Sequence, residues 1–229
     1  MSSGFFLSFE GPEGAGKSTQ IALLSTALEA AGREVVITRE PGGTQIGEAI
    51  RAILLDHDNY AMLAETEALL HTAARSQHVG EVIRPALENG KVVVCDRFID
   101  STLAYQGGGR GLAMNSLESI QEFAIGVLRP DLTILLDLPV EIGLSRRFGS
   151  AAGVNRFDSA GVQFHQRVRV AFLELATRDP ERWIVIDASR TVEELAADVL
   201  LAVTARTPLF AGRDGAQISP GASRTGTDL

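Results

Sequence analysis

The chain has 229 residues and a formal charge of −8, with 45% hydrophobic and 22% charged residues, a balance that suits one α/β domain with its own core. Its acidic total sets up no field for a nucleic-acid backbone, and its single cysteine, Cys95, can form neither an internal disulfide nor a zinc site alone. No apolar run is long enough to span a membrane and no basic leader precedes the first one, so the expectation is a cytoplasmic protein with small-molecule partners.

In chain order, Phe5-Phe6-Leu7-Ser8-Phe9 predicts a short buried strand. The next stretch, Gly11-Pro12-Glu13-Gly14-Ala15-Gly16-Lys17-Ser18, fits G-x-x-x-x-G-K-[ST], and Ile21, Leu24 and Leu28 ahead of Gly32 space a helix with a stop signal. Strand, glycine-rich loop and helix are the context a P-loop requires. Backbone N–H groups unobstructed by Cβ atoms can close around a polyphosphate, and the helix N-terminus adds its orphan donors. Lys17 then reaches the β/γ-phosphates and the Ser18 hydroxyl can sit on Mg²⁺. Residues 11–18 therefore predict a bound nucleoside triphosphate.

Residues 34–39 predict a second strand, parallel to the first across the intervening helix. Residues 40–44 read as a loop, Ile46 to Ile53 as a helix, and 64–88 as a long helix that Pro85 kinks or breaks. Residues 91–97, 132–137 and 183–186 supply three further strands. Between them, 105–111 read as a loop, Asn115 with Glu118 as a capping box, and 140–148 as a short helix. Residues 149–158 read as a mobile loop, followed by a helix from Ser159 and a last helix capped by Thr191 and Glu194. Periodicity vanishes from Thr207, so a domain over 1–206 is expected to carry a disordered tail over 207–229.

A P-loop leaves GTPases, ATPase motors, kinases and partitioning proteins open, but no Asn-Lys-x-Asp guanine-reading motif is present. Arginines at loop positions are more informative: Arg39, Arg75, Arg97, Arg146, Arg147 and Arg156. Arg39 and Arg97 terminate strands at the edge where ligands of parallel sheets bind, and guanidinium groups there suit capture of a second phosphate. Arg110 and Arg129 read as solvated surface charges. Two anionic substrates repel unless cations lie between them, which is the requirement of a kinase whose acceptor is itself a phosphate. Such an acceptor needs no strong base, and none is evident. Asp96 ends its strand as a carboxylate near Mg²⁺ would, Cys95 reads as core, and His57, His78 and His165 are too scattered for a metal site.

At this point the chain resembles the bacterial thymidylate kinases, from Phe5 to about Val203. The resemblance rests on the P-loop Glu10–Thr19, on Thr38-Arg39-Glu40-Pro41-Gly42-Gly43-Thr44, and on Ala73-Ala74-Arg75. It rests further on Asp96-Arg97 with Ser101, on residues 104–111, and on Arg129-Pro130-Asp131. It implies an α/β three-layer P-loop NTPase fold, with a five-stranded parallel sheet, helices on both faces and a small lid at about 146–158. It also implies ATP- and Mg²⁺-dependent phosphorylation of dTMP to dTDP by a homodimer, for which the 64–88 helix could supply an interface. The family pattern places catalysis at Lys17, Arg97, Glu13 and a lid arginine. Gly14 stands where some relatives carry an arginine, so Arg156 is the first lid candidate and Arg147 the second. Arg39, His71, Arg75, Arg97, Tyr105 and Gln106 are implied as the dTMP site, with Ser18 and Asp96 near the metal. Tyr105 would crowd a ribose 2′-hydroxyl. Relatives place a phenylalanine at His71 that stacks on the base, so His71 reads either as a substitute stacker or as an ordinary helix-face histidine. A kinase of the same class with another acceptor, or a regulatory P-loop ATPase, are the alternatives.

Overall fold

The computed structural model describes residues 4–149, 155–158 and 160–210. Strands β1 (Phe5–Glu10), β2 (Val35–Arg39), β3 (Val92–Asp96), β4 (Leu132–Asp137) and β5 (Trp183–Asp187) form one all-parallel sheet in the order β2-β3-β1-β4-β5. Strands covered on both faces read as continuous apolar runs. Accordingly, Phe6 and Val93 enter one core while Leu7, Phe9 and Val94 enter the other.

Between the strands run α1 (Lys17–Ala30), α2 (Gln45–Leu55), α3 (Ala64–His78), α4 (Arg84–Glu88), α5 (Ile99–Thr102), α6 (Met114–Ile125), α7 (Val140–Phe148), α8 (Val162–Arg178) and α9 (Val192–Arg206). Leu24 and Leu28 of α1 join Leu195, Val199 and Val203 of α9 on one face. Phe164, Val168 and Phe172 of α8 and Ile83 and Ala86 of the α3–α4 stretch cover the other. The three layers and the five-stranded parallel sheet agree with the sequence reading. So does the capping box at the start of α9, where the Thr191 hydroxyl accepts from Glu194 N–H and the Glu194 carboxylate accepts from Thr191 N–H.

Four local expectations need correction. The break in the 64–88 helix is a π-helical turn over Val79–Ile83, ahead of Pro85, which lies in the first turn of α4. A proline lacks an N–H and crowds the carbonyl four residues back, so the ladder is re-spaced upstream. Asn115 is not the N-cap, because α6 begins one residue before it and its N-cap is Ala113; within the first turn its side-chain oxygen accepts from Ser116 N–H at 2.9 Å. The glycine-rich stretch expected as a loop is a π-helical segment over Leu103–Gly109 that continues α5. Its glycines bring α8 close: a Cβ on Gly108 would lie 2.4 Å from the Cβ of Ala171. Finally, the chain folds past 206. A turn over Pro208–Phe210 buries Leu209 in the α1–α9 core, and Arg33 donates to the carbonyls of Leu209 and Pro208. The boundary thus moves to 210 at the least, and the remainder of the expected tail, 211–229, lies outside the described residues.

Close packing at Gly108 makes a direct prediction. Gly108→Val should lower unfolding free energy by roughly 1–3 kcal/mol through overpacking against α8, measured by urea denaturation; wild-type stability would show that α8 can move aside.

Candidate active site

Parallel register brings the charged ends of the strands to one edge. Arg39 and Phe9 both stand beside Asp96, and Asp137 stands beside Asp187. A cavity of about 360 Å³ opens at that edge, in the size range of small-molecule sites.

One end is the P-loop, where residues 13–19 line the wall and α1 begins. First-turn amides of a helix lack intrahelical acceptors, which suits this end to phosphate. Gly16 adopts φ 86° and Gly14 φ 72°. A Cβ on Gly14 would meet the Gly143 carbonyl at 2.2 Å, so this backbone admits no arginine there. Lys17 donates to the Gly11 and Pro12 carbonyls at 3.1 and 2.9 Å, and burial, with Arg97 nearby, pulls its ammonium down to about 8. Gly11 and Pro12 therefore brace Lys17 from behind the cavity wall. Ser18 donates to Asp96 Oδ2 at 3.4 Å, while Asp96 Oδ1 is buried with no hydrogen-bond partner. A hydroxyl beside an unsatisfied carboxylate oxygen is a hard-donor pair that fits Mg²⁺.

The other end is built around Arg97, the one non-glycine residue at positive φ (69°) among the described residues. Glu10, the last residue of β1, secures this turn. Its carboxylate accepts from Phe98 N–H at 2.7 Å and from the Ser101 hydroxyl at 2.6 Å. The Arg97 guanidinium lies over the Tyr105 ring and donates to Glu13, which also accepts from the Tyr105 hydroxyl at 2.7 Å and faces His165 Nδ1 at 3.4 Å. Burial alone would raise the Glu13 carboxyl, but Arg97 and these donors hold it well below the usual carboxylate range. Arg39, His71, Tyr105 and Gln106 also line the cavity.

Those features match a protein family along most of the chain. The thymidylate kinase family model covers residues 9–199. The chain belongs to the thymidylate kinase family. It is 54% identical over 200 residues to the thymidylate kinase of Thermomicrobium roseum, spanning 87% of this chain and 94% of the relative. The thymidylate kinase of Geotalea uraniireducens is 51% identical over 208 residues, 89% and 98% of the two chains.

Two residues that the thymidylate kinase pattern suggested lie elsewhere. Arg75 is buried behind the wall, donating to Glu40, Thr102, Gln121 and the Phe98 carbonyl; it braces the site instead of lining it. Arg156 is only 9% exposed. It points away from the P-loop, donating to the Leu54 carbonyl and pairing with Glu67 at 2.7 Å. Arg147, on α7, does line the cavity and pairs with Asp158 at 3.0 Å. Residues 155–158, expected as part of a lid and of a mobile loop, form a packed turn with Phe157 and Asn155 on the cavity wall. Residues 150–154 and 159 lie outside the described residues.

His71 stands on the cavity wall 6.0 Å from Phe157, and burial, aided by Arg75, depresses its imidazole to about 3, which leaves it neutral. Sequence reading missed Arg51, which also lines the cavity and donates to the Pro41 carbonyl. It sits within α2 and not on a loop; its place shortly after the Pro-Gly-Gly-Thr loop is the sequence signal for it. His165 and Arg110, dismissed as scattered or solvated, are tied to Glu13 and Glu67.

Glu10 carries a pH prediction. Burial, with Asp100 adding repulsion, raises its carboxyl from 4.5 to about 7. The folded state therefore holds this proton more tightly than the unfolded chain, a contribution of roughly 3 kcal/mol that is complete below about 4.5 and lost as pH rises through about 7. Unfolding free energy relative to Glu10→Gln should fall between pH 5 and pH 8 in denaturant titrations. A flat difference would mean that Glu10 stays ionised throughout.

Proposed function

We propose that this protein transfers the γ-phosphoryl group of ATP to the 5′-phosphate of dTMP, giving dTDP and ADP, as a step in dTTP supply. The observation that carries the reading is one cavity with a phosphate-binding loop at one end and Arg97, Arg39 and Arg51 at the other. In this reading, residues 11–18 and the start of α1 hold the ATP phosphates, with the Lys17 ammonium at the β/γ position. Ser18 and Asp96 would hold Mg²⁺, which when bound withdraws charge from the transferring group. Arg97 binds the acceptor phosphate, with Arg39 and Arg51 flanking it. Tyr105 closes against the sugar and Gln106 and His71 meet the base.

The chemistry follows from placement. An acceptor phosphate oxygen, already anionic at neutral pH, attacks the γ-phosphorus as the bond to the ADP oxygen breaks, so positioning and charge compensation suffice. Glu13, kept ionised beside Arg97 and Tyr105, orients the acceptor-side cation; the P-loop thereby touches both substrates. In this reading Arg147, which lines the cavity, takes the lid-arginine role in place of Arg156, which does not. Another nucleoside monophosphate as acceptor is a second reading, favoured by an imidazole at position 71 where less apolar area is offered to a base.

Coupled detection of ADP with ATP, Mg²⁺ and a panel of monophosphates tests this directly. dTMP should be the best acceptor; equal rates with dCMP, AMP or GMP, or ADP release independent of any acceptor, would refute the assignment. Within the same assay, Arg147→Ala should reduce kcat by about 10²-fold or more with little change in KM for dTMP, since its contact strengthens in the transition state. Arg97→Ala should raise that KM as well. An unaffected kcat in Arg147→Ala would return the role to another cation.

We also propose a cytoplasmic homodimer. Among the described residues no helix is long and apolar enough to cross a membrane. Phe123 and Val127 are 94% and 90% exposed at the end of α6, and Leu69 is exposed on the neighbouring α3. Light scattering should give twice the chain mass for wild type and the single-chain mass for Phe123→Asp; a monomeric wild type would sink the dimer.

A further inference from the structure

Glu67 lies within α3, is fully buried and does not line the cavity. Three side chains from two other segments nonetheless converge on its carboxylate. Oε1 accepts from Gln106 Nε2 at 2.8 Å and from Arg110 Nε at 3.2 Å. Oε2 accepts from Arg110 Nη2 at 3.1 Å and pairs with Arg156 Nη2 at 2.7 Å. Two of the three lead into the cavity wall. Gln106 is itself wall; Arg156 stacks over Phe157 at 4.7 Å; Phe157 meets His71 at 6.0 Å and Tyr105 at 6.1 Å. His71 stands one helical turn beyond Glu67 on the same face of α3.

A carboxylate can only accept, whereas an amide has a donor end and an acceptor end. Glu67 therefore fixes which way Gln106 points: the amide nitrogen is committed, and Oε1 is the end left for a ligand. An oxygen acceptor suits a ring N–H, present in thymine and absent from neutral cytosine. Through Arg156, the same carboxylate ties the 155–158 turn down beside that amide.

We propose that Glu67 is the positioning residue of the acceptor-base pocket, orienting the Gln106 amide to select a base with a ring N–H and strapping residues 155–158 across it. The selection half rests on the dTMP reading above; the strap half does not.

The test compares wild type with Glu67→Gln, Glu67→Asp and Arg156→Met, measuring kcat/KM for dTMP and dCMP, KM for ATP, and tryptic cleavage after Arg156 in the folded full-length chain. In Glu67→Gln the amide at 67 can also donate, so Gln106 can flip. The dTMP:dCMP preference should drop by roughly tenfold or more, about one hydrogen bond's worth, with KM for ATP unchanged. Glu67→Asp, still acceptor-only, should retain the preference. Arg156→Met, which removes the tryptic site itself, should raise KM for dTMP while keeping the preference, because Gln106 is still held. In Glu67→Gln, where Arg156 persists and keeps the Leu54 carbonyl but loses its carboxylate partner, cleavage after Arg156 should appear. An unchanged preference together with continued resistance at Arg156 would overturn the proposal. If Glu67→Gln does not fold, loss of preference in Glu67→Asp or its retention of wild-type trypsin resistance with unchanged preference decides against or for the carboxylate. If wild type itself shows no preference for dTMP, the acceptor reading fails, and appearance or absence of the Arg156 cut alone decides the strap.

Discussion

A guanidinium held in a left-handed backbone turn at the end of a buried strand is the constraint on which this site depends. At φ 69° Arg97 sits where a side chain is disfavoured by about 1–3 kcal/mol, and its surroundings maintain that conformation. Arg97 N–H donates to the Phe9 carbonyl, Phe98 N–H to Glu10, and the Arg97 side chain to Glu13 and Ser101. Strand β1 and the P-loop therefore grip Arg97 from both directions. The P-loop and Arg97, proposed above to hold the donor and the acceptor, form one rigid piece, which two-substrate phosphoryl transfer requires if the reacting atoms are to be aligned.

Buried charge around that piece is arranged in closed sets. Glu13 faces Arg97, Tyr105 and His165; Glu40 faces Arg75 and His78; Glu67 faces Gln106, Arg110 and Arg156; Asp100 faces Arg182. A buried carboxylate without partners is costly, and one with several donors rigidifies what it touches. The first three sets join elements distant in the chain to residues on the cavity wall, while Asp100 and Arg182 tie α5 to the start of β5 away from it. Rigidity at the rim thus comes from polar networks, while the sheet beneath is held by apolar packing. Glu10 is the exception in sign: burial and Asp100 outweigh its donors, so its carboxyl is displaced upward while that of Glu13 is displaced downward.

Local pattern was enough for much of the molecule. Strand, loop and helix around Gly11–Ser18, the alternation that makes the sheet parallel, the charged ends at Arg39 and Asp96-Arg97, and the Thr191–Glu194 cap all depend on neighbours within a few residues, and all appear as read. The glycine triplet misled because Gly108 and Gly109 serve close approach of α8, at Ala171 and Phe164, and Gly107 that of α6, at Met114, contacts that no local rule reports. Pro208 and the glycines beyond suggested a tail, yet Leu209 finds a cavity in a core assembled from α1 and α9.

By itself, then, the sequence determined the P-loop, the order of the elements, the family and the residue types at both ends of the site, because these follow from periodicity and from motifs contiguous in the chain. Only the tertiary structure decided which arginines reach the cavity. Arg147 and Arg51 enter it; Arg75 and Arg156 are drawn behind it by Glu40 and Glu67, carboxylates 35 residues away in one case and supplied from another helix in the other. A guanidinium goes where its buried partners stand, and those partners are brought near only when the chain has folded.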